Sequence, residues 1–200
     1  MSRPARTRLA PEERRAQLLA LGAELFSTTP FSQVRIEEIA ERAGVSRGLL
    51  YRYFPTKRDF VVAMVAAEAD ALRDLLVVDP TLPVEQQVRA GLRGYLDYVE
   101  AHSDGYRAVY GASLAADLDV RRIVAANNRL HEDRILASLR DAGRVPEGES
   151  ELGRVAVRGW LGFVTTVTLD WLERRTLTRD EVLELCARSL LAAVAALLPA

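Results

Sequence analysis

Residues 36–57 read IEEIAERAGVSRGLLYRYFPTK, two short helical patterns separated by a glycine. From Ile36 to Ala43 the apolar residues recur at three- and four-residue spacing, which places one apolar stripe on a helix with a charged opposite face. Gly44 ends this helix, because glycine adopts the left-handed conformation of a C-cap without steric cost. Ser46 is a good N-cap for a second helix that begins at the next residue. The stretch therefore predicts a helix, a short turn and a second helix.

The second of these helices is expected to meet DNA. In a helix-turn-helix the second helix lies in the major groove with its N-terminal residues at the base edges. Those residues are Arg47, Gly48, Leu49 and Arg52 here, preceded by the N-cap Ser46. A glycine inside a helix costs about 1 kcal/mol relative to alanine. Gly48 therefore indicates a backbone that approaches another surface closely, and the wall of the groove is a candidate.

Hydrogen-bond donors lie in and just beyond this helix. Tyr51, Tyr53 and Lys57 carry hydroxyl or ammonium groups. Such groups suit contacts to phosphate oxygens, which fix the register on DNA without reading its sequence. Thr56 and Asp59 form a capping-box pattern that opens a further helix, whose positive N-terminus would also face phosphate. We therefore expect this edge to contact the DNA backbone.

The same part of the chain resembles the N-terminal DNA-binding domain of the tetracycline-repressor (TetR) family. The matching positions are Phe31, Ile39-Ala40, Ala43-Gly44-Val45-Ser46, Gly48, Leu50-Tyr51, Tyr53-Phe54 and Lys57. Two positions depart from the family pattern, since Arg35 stands where a small hydroxyl residue is usual and Pro30 stands where glycine is usual. We expect Arg35 to contact phosphate in place of the capping hydroxyl, and the alternative is that it is solvated.

The resemblance implies an all-α protein of about nine helices. It divides the chain into a disordered basic arm over residues 1–10, a three-helix helix-turn-helix DNA-binding domain over residues 11–55, and a helical ligand-binding and dimerisation domain over residues 56–200. The apolar patterns after the first domain agree with this. They predict helices at 56–77, 84–102, 104–114, 117–142, 151–174 and 178–198, after a first helix at 11–27.

The charge distribution supports a molecule with one basic end. The whole chain has a net charge of only -1. Up to Arg58, however, eleven basic residues stand against six acidic ones, so this end carries +5 and the remainder carries -6. A basic end joined to an acidic body fits a protein that meets phosphate at one end only. Arg3, Arg6 and Arg8 of the arm either reach DNA electrostatically or form a solvated tail.

Composition limits the other classes of function. With 200 residues and 49% hydrophobic content, the chain can bury a full core. Its one cysteine, Cys186, excludes a disulfide within one chain and favours a reducing compartment. The first residues are rich in arginine and lack an apolar signal segment, and the apolar runs are short or broken by charge. We therefore expect a cytoplasmic protein without a membrane partner.

The last two helices are expected to bury apolar surface within or between subunits. The helix from 151 is apolar almost all round, and the helix from 178 carries small residues that would let a partner helix approach closely. The TetR resemblance implies that both pair with their symmetry mates in a homodimer; the alternative is that they only close the monomer core. The predicted interface residues are Trp160, Val164, Val167, Trp171, Val182, Cys186, Ser189, Leu190, Ala193 and Leu197.

A ligand cavity is expected among the middle helices, where isolated polar groups interrupt aromatic and apolar residues. Asn128 and His131 lie on one helical stripe with apolar neighbours. For His131 the roles of pocket residue and hydrogen-bonded core residue both remain open. The candidate lining residues are Leu72, Tyr95, Tyr98, Tyr106, Tyr110, Val124, Asn128, His131, Phe163 and Thr166.

We expect no catalytic or metal-binding site. The chain has no P-loop, G-x-G-x-x-G, G-x-S-x-G or His-Glu-x-x-His motif, and it contains two histidines. We therefore expect no cofactor and no metal. The predicted function is a regulator that represses transcription from a palindromic operator and leaves it when a small hydrophobic or amphipathic effector binds. One alternative is a regulator of the same fold with no small-molecule ligand. A remote alternative is a helical enzyme or lipid-binding protein with a fused DNA-binding end.

Overall fold

The structure, a computed structural model, describes residues 9–29, 33–76, 78–111, 113–145 and 150–197, without the side chains of Thr28 and Ser150. Most of the predicted arm, including its three arginines, and the positions Pro30 and Phe31 lie outside the described residues. The helices are α1 Pro11–Thr28, α2 Ile36–Arg42, α3 Arg47–Tyr53, α4 Lys57–Leu75, α5 Val84–Ala101, α6 Ser103–Tyr110, α7 Leu118–Asp141, α8 Ser150–Arg174 and α9 Arg179–Ala195. The all-α prediction is confirmed for this part of the chain.

One predicted helix is shorter than expected. The pattern predicted a helix over residues 104–114, whereas α6 ends at Tyr110. The next residue, Gly111, leaves the helical conformation with φ -84° and ψ -149°. An added Cβ at that position would lie 2.4 Å from the carbonyl oxygen of Arg107. A side chain at this turn would clash with the backbone of α6, so the turn requires a glycine.

The first three helices pack against the N-terminal half of α4. Leu18, Ile39 and Leu50 are fully buried in one apolar cluster, and Phe60 of α4 belongs to the same cluster. The rings of Phe54 and Phe60 meet edge to face with centroids 4.8 Å apart. The apolar cluster thus crosses the predicted domain boundary at residue 55. We call α1, α2 and α3 the N-terminal unit, and α4 begins inside the core of this unit.

The remaining helices form a second apolar cluster, which we call the body. It contains side chains of α5, α6, α7, α8 and α9; α4 packs along α7, and α8 packs along α9. The indole N–H of Trp160 donates to the carbonyl of Cys186 at 2.8 Å and so ties α8 to α9. Among the described residues, no helix combines the length and apolar character that crossing a bilayer requires. Because α4 begins in the first cluster and also packs along α7, it connects the N-terminal unit to the body.

Candidate nucleic-acid interface and ligand cavity

The turn between α2 and α3 has the predicted cap chemistry. Gly44 adopts a positive φ of 63°, and the N–H of Val45 donates to the carbonyl of Ala40 at 2.9 Å, which closes the end of α2. The hydroxyl of Ser46 accepts from the N–H of Leu49 at 3.2 Å and so caps α3. Both cap predictions are confirmed. The two helices are therefore held at a fixed angle by local hydrogen bonds.

α3 presents a polar outer face. Arg47, Gly48, Tyr51 and Arg52 are exposed, while Leu50 on the opposite face is fully buried. An added Cβ at Gly48 would approach only the Ser46 hydroxyl, at 4.0 Å, among the described atoms. Packing within the chain therefore gives no reason for a glycine here. The close approach of a surface from outside the molecule does give a reason for a glycine at this position. Of the other predicted contact residues on α3, Leu49 and Tyr53 are half-buried.

The hydroxyl of Tyr51 has a partner that the sequence did not suggest. It donates to the Glu37 carboxylate at 2.7 Å, from α3 back to α2. This hydrogen bond raises the pKa of Tyr51 and lowers the pKa of Glu37. Since a phenol has one proton to donate, a contact between Tyr51 and phosphate requires the hydroxyl to turn away from Glu37. The phosphate role of Tyr51 remains a prediction, now with a competing acceptor.

Two further predicted contact residues flank the recognition helix. Arg35 is exposed, precedes α2 and makes no side-chain cap hydrogen bond. The ammonium of Lys57, in the first turn of α4, donates to the carbonyl of Val34 at 2.7 Å. Lys57 therefore fixes the start of α4 against the segment that leads into α2. Contacts of either side chain with phosphate stay predictions.

The start of α4 also bonds to the body. Its predicted capping box is present, because Thr56 and Asp59 exchange side-chain and backbone hydrogen bonds. The next arginine, Arg58, donates to Asp117 at 2.8 Å and 3.0 Å and to Asp119 at 2.7 Å. Hydrogen bonding to this guanidinium lowers the pKa of both carboxyls. Sequence analysis missed this link, since its partners lie about sixty residues apart.

The body contains a cavity of about 500 Å³, which we call the main cavity. It lies between the C-terminal end of α4 and helices α5, α6, α7, α8 and α9. Five predicted lining residues surround it, namely Leu72, Tyr95, Tyr110, Asn128 and His131. Apolar side chains that the sequence did not assign to it make up much of the rest, among them Leu76, Val84, Val88, Leu92, Ile135 and Leu161. This is the size and composition of a pocket for a small, mostly apolar molecule.

α7 supplies polar groups to this apolar wall. The Nε2 atom of His131 is buried, and no described residue forms a hydrogen bond with it. Burial, with added repulsion from Arg134 and Arg73, lowers the pKa of His131 to about 4, so the imidazole is neutral near pH 7. Arg134 also lines the cavity, and its guanidinium donates to the carbonyl of Arg73 at 2.7 Å. The cavity therefore has one side that can orient the polar end of a ligand.

Asn127 is a lining residue that sequence analysis missed. It is 6% exposed, and among the described residues no partner bonds to its Oδ1 atom. The stripe argument had selected Asn128, its neighbour, because that position aligns with His131. On a helix, however, positions four apart also share a face, so residue 127 aligns with His131 equally well. Both asparagines line the main cavity.

A second, smaller cavity of about 60 Å³ lies between the N-terminal unit and the body. We call it the inner cavity. Three other predicted lining residues, Tyr98, Tyr106 and Val124, belong to it instead of the main cavity. The hydroxyl of Tyr98 donates to Glu68 at 2.8 Å on its wall. The remaining two predictions need correction: Phe163 and Thr166 line neither cavity, because the turn of α8 places both on its exposed outer face.

Most of the predicted interface residues also face inward. Six of the predicted side chains are buried within the single chain: Trp160, Val164, Trp171, Val182, Cys186 and Leu190. Trp160, Val164 and Leu190 line the main cavity. A side chain enclosed by its own subunit does not contact a partner, so this assignment is corrected. Val167, Ser189, Ala193 and Leu197 are half-buried and remain predictions.

Comparisons with known proteins assign the family. The model of bacterial regulatory proteins of the tetR family matches residues 18–64, and the model of the tetracyclin repressor-like C-terminal domain matches residues 84–198. The chain belongs to the TetR family. It is therefore a DNA-binding transcriptional regulator with an N-terminal helix-turn-helix.

Individual relatives agree with this assignment. The HTH-type transcriptional activator FasR of Mycolicibacterium smegmatis is 27% identical over 181 residues, 88% of this chain and 81% of that protein. The HTH-type transcriptional repressor KstR of Rhodococcus jostii is 30% identical over 180 residues, 86% of this chain and 78% of that protein. A tetR-family transcriptional regulator from Streptomyces coelicolor superimposes with a TM-score of 0.82 at 30% identity, covering 94% of this chain and 84% of that one.

Proposed function

We propose that this regulator is a homodimeric repressor that binds a palindromic operator and is released when a small hydrophobic or amphipathic molecule occupies the main cavity. The observation that carries the proposal is the position of this cavity of about 500 Å³ against α4. Leu72 of α4 lines the cavity, and Lys57 at the other end of the same helix bonds to the segment before α2. One continuous helix thus touches both the ligand site and the DNA-reading unit.

The proposed release follows from the geometry of a dimer on DNA. Two recognition helices must enter successive major grooves about 34–36 Å apart, or a multiple of that distance. A ligand that fills the main cavity displaces the C-terminal end of α4 around Leu72. The helix transmits that displacement to its first turn at Lys57, where the N-terminal unit is attached. A few ångströms of change in the separation of the two α3 helices then prevents simultaneous binding.

The proposed dimer uses the exposed face of α8 and α9. Leu152 and Val155 are each 52% exposed, and Leu185 on α9 is 44% exposed. Gly159 and Gly162 continue this face on α8, where an added Cβ would meet no atom of the described chain within 4 Å. Glycine inside a helix is unfavourable, so two of them on an open face favour the close approach of a second helix. Burial of this apolar face between subunits also removes it from water.

The proposed DNA contacts divide by position on α3. Arg47 lies in the first turn, where a side chain reaches base edges, and its guanidinium is 3.8 Å from Glu41 at the end of α2. Tyr51, Lys57 and Arg35 flank it at positions that suit phosphate. We place this activity in the cytoplasm and assign the chain a binding role without catalysis, since the relatives reported above are transcriptional regulators.

Release can be tested once the operator is known. The DNA that copurifies with the protein is sequenced, and the recovered operator is labelled for fluorescence anisotropy. A thermal-shift screen then identifies compounds that stabilise the free protein. The same screen is run on Trp160→Ala, a variant altered in the main cavity. A compound that stabilises wild type and weakens its operator binding supports the proposal. Stabilising compounds that leave operator affinity unchanged contradict release and favour a regulator without a small-molecule effector.

A further inference from the structure

Two side chains on the wall of the main cavity carry buried polar atoms without partners. Asn127 is 6% exposed, and among the described residues nothing forms a hydrogen bond with its Oδ1 atom. Within the same part of the chain, the Nε2 atom of His131 is also buried and unpaired. Both side chains line the cavity from α7. Most buried polar atoms in native proteins have a partner, so these two atoms indicate a bound ligand or a bound water.

Other polar groups of the cavity wall have partners inside the protein. The hydroxyl of Thr165 donates to the carbonyl of Leu161 at 3.0 Å, and the hydroxyl of Tyr95 shares a hydrogen bond with that of Tyr106. Asn127 differs from these residues, because a partner for its Oδ1 atom has to come from inside the cavity. This difference places the polar contact of a ligand on α7.

The two unpaired atoms are close enough to share one group of a ligand. Residues 127 and 131 lie one turn apart on α7, so their Cβ atoms are about 5–6 Å apart. Two hydrogen bonds of about 2.8 Å that meet at one oxygen span up to roughly 5.6 Å. A hydroxyl oxygen donates one hydrogen bond and can accept another. One hydroxyl group can therefore donate to Asn127 and accept from the Nε2–H tautomer of His131.

The surroundings of this pair disfavour an ionised group. The charged residues on the described wall, Arg134 and Asp141, are both exposed. Burial, with added repulsion from Arg134 and Arg73, lowers the pKa of His131 to about 4, so its ring is uncharged near pH 7. A carboxylate has no proton to donate to Asn127, and an ammonium would meet the same burial and repulsion as a protonated His131. The pair therefore suits an uncharged donor.

The rest of the ligand is apolar and can contain rings. Tyr95, Tyr110 and Trp160 line the main cavity together with its aliphatic side chains. Aromatic rings pack favourably against one another, face to edge or offset. The cavity volume of about 500 Å³ is more than three times the roughly 150 Å³ that holds a benzene molecule in an engineered cavity. A molecule of two rings therefore fits within it.

We infer that the main cavity selects an uncharged, ring-bearing alcohol or phenol whose hydroxyl group donates to Asn127 and accepts from His131. The inference rests on the proposed function and names the chemical class of its ligand. Because Asn127 also lines the inner cavity, the hydroxyl lies at the end of the main cavity that adjoins this smaller space. The rings of the ligand occupy the apolar part of the main cavity.

Pairs of probes of nearly equal size test the hydroxyl directly. 4-Phenylphenol is compared with 4-methylbiphenyl, and 2-naphthol with 2-methylnaphthalene, so that a methyl group replaces the hydroxyl. Equilibrium dialysis, which suits sparingly soluble compounds, measures the dissociation constant of each probe. The hydroxyl member of each pair should bind about 5–150-fold more tightly although it is the less apolar one, because the methyl member leaves Asn127 without a donor.

Three substitutions on α7 assign this preference to its residues. Asn127→Leu should abolish the preference, because leucine has nearly the same size and offers no acceptor. His131→Phe should reduce it in part, since phenylalanine keeps a ring and removes the Nε2 atom. The matched control is Asn128→Leu, at a half-buried position on the same wall, which should leave the preference unchanged. Without ligand, Asn127→Leu should melt no lower than wild type, because a buried amide oxygen without a partner is unfavourable.

Equal binding of both members of each pair to wild type would overturn the inference, and it is the result expected if a water alone satisfies Asn127. Failure of both hydroxyl probes to bind would overturn it too, as would an unchanged preference in Asn127→Leu. The comparison in wild type needs no variant to fold.

Release of the labelled operator, followed by fluorescence anisotropy, separates this inference from the proposed function. If 4-methylbiphenyl binds as tightly as 4-phenylphenol and releases the operator, the inference fails and the ligand-released repressor stands. If the hydroxyl probes bind with the expected preference and the operator stays bound, the inference stands and release by occupation of the main cavity fails.

Discussion

The N-terminal unit and the body differ in how many parts of the chain build each site. The residues predicted to face DNA are concentrated in α3 and the turns on either side of it, with the helix caps supplied by Gly44 and Ser46. The main cavity instead requires side chains from α4, α5, α6, α7, α8 and α9. The first surface is organised by local hydrogen bonds and the second by long-range packing. A local motif therefore identifies the class of protein, while the proposed ligand site depends on the whole body.

Placing a charge on the exposed face of the body should have the largest effect. Leu185→Glu puts a carboxylate on the proposed interface, where 44% of the leucine is exposed in the single chain. If two linked recognition helices bind together, loss of the dimer should weaken operator binding by roughly 10²–10⁴-fold. Sedimentation measures the subunit assembly, and circular dichroism checks that the fold is retained. An intact Leu185→Glu dimer would move the interface elsewhere.

The matched variant for that experiment is Leu190→Glu. Leu190 is fully buried and lines the main cavity. A charge there lacks a partner and should destabilise the fold itself, because an isolated carboxylate is costly in an apolar environment. A folded, monomeric Leu190→Glu protein would contradict the inward position of this side chain.

Removing a core ring where the two regions join should have the next largest effect. Phe60→Ala deletes a fully buried side chain of α4 that packs on Phe54. Such a deletion costs about 3–5 kcal/mol, and it should lower the free energy of unfolding measured in urea. If α4 couples the two regions, tryptophan fluorescence from Trp160 and Trp171 in the body should report the same transition as far-ultraviolet circular dichroism. Two separate transitions would show that the regions unfold independently.

A single base contact on α3 should have a smaller effect. Arg47→Ala should reduce discrimination by about 1–3 kcal/mol and relax the preference at one position in each half-site. Lys57→Ala, the comparison variant, should weaken all DNA sequences alike and make the salt dependence shallower. Binding to an operator library at two salt concentrations separates these outcomes. Equal losses on operator and random DNA would remove Arg47 from the base-reading residues.

The ionic link between Arg58 and the start of α7 should have the smallest effect, visible through pH. The folded protein lowers the pKa of Asp119, so this carboxylate contributes stability above its unfolded pKa of about 4, and the contribution is lost as pH falls through the folded value. Asp119→Asn should therefore melt below wild type at pH 7, and the difference should shrink below about pH 4. Melting temperatures of wild type and Asp119→Asn, measured from pH 7 to below pH 4, test this prediction. A difference that stays constant with pH would exclude the charge of Asp119 as its cause.

The sequence predicts the parts of this molecule that depend on neighbouring residues. The predicted caps at Ser46 and Thr56 are both present, because each depends on residues within one helical turn. The sequence also identifies which helix faces are buried, but not which surface covers each of them. Trp160 was predicted to meet a partner subunit, whereas its indole bonds to Cys186 of the same chain. Periodicity shows that a helix face is apolar without showing which surface packs on it.

The candidate ligand site shows the same limit. Asn128 and His131 were selected from their stripe, and both line the main cavity. Asn127 was missed, and Phe163 was assigned to the cavity although it faces outward. The direction of an individual side chain on α7 or α8 depends on the rotation of the helix in the body. Packing against α4 and α9 sets that rotation, and no local pattern encodes it.

Calorimetry of ligand binding with and without operator tests the central claim most directly. A compound that stabilises the protein in the thermal-shift screen is titrated into the free protein and into the operator complex. Because coupling between two sites is reciprocal, a ligand that lowers operator affinity must bind the complex more weakly, by about 5–150-fold for couplings of ordinary size. That weakening is the predicted result. Equal ligand affinity for the free protein and for the operator complex would contradict release through α4.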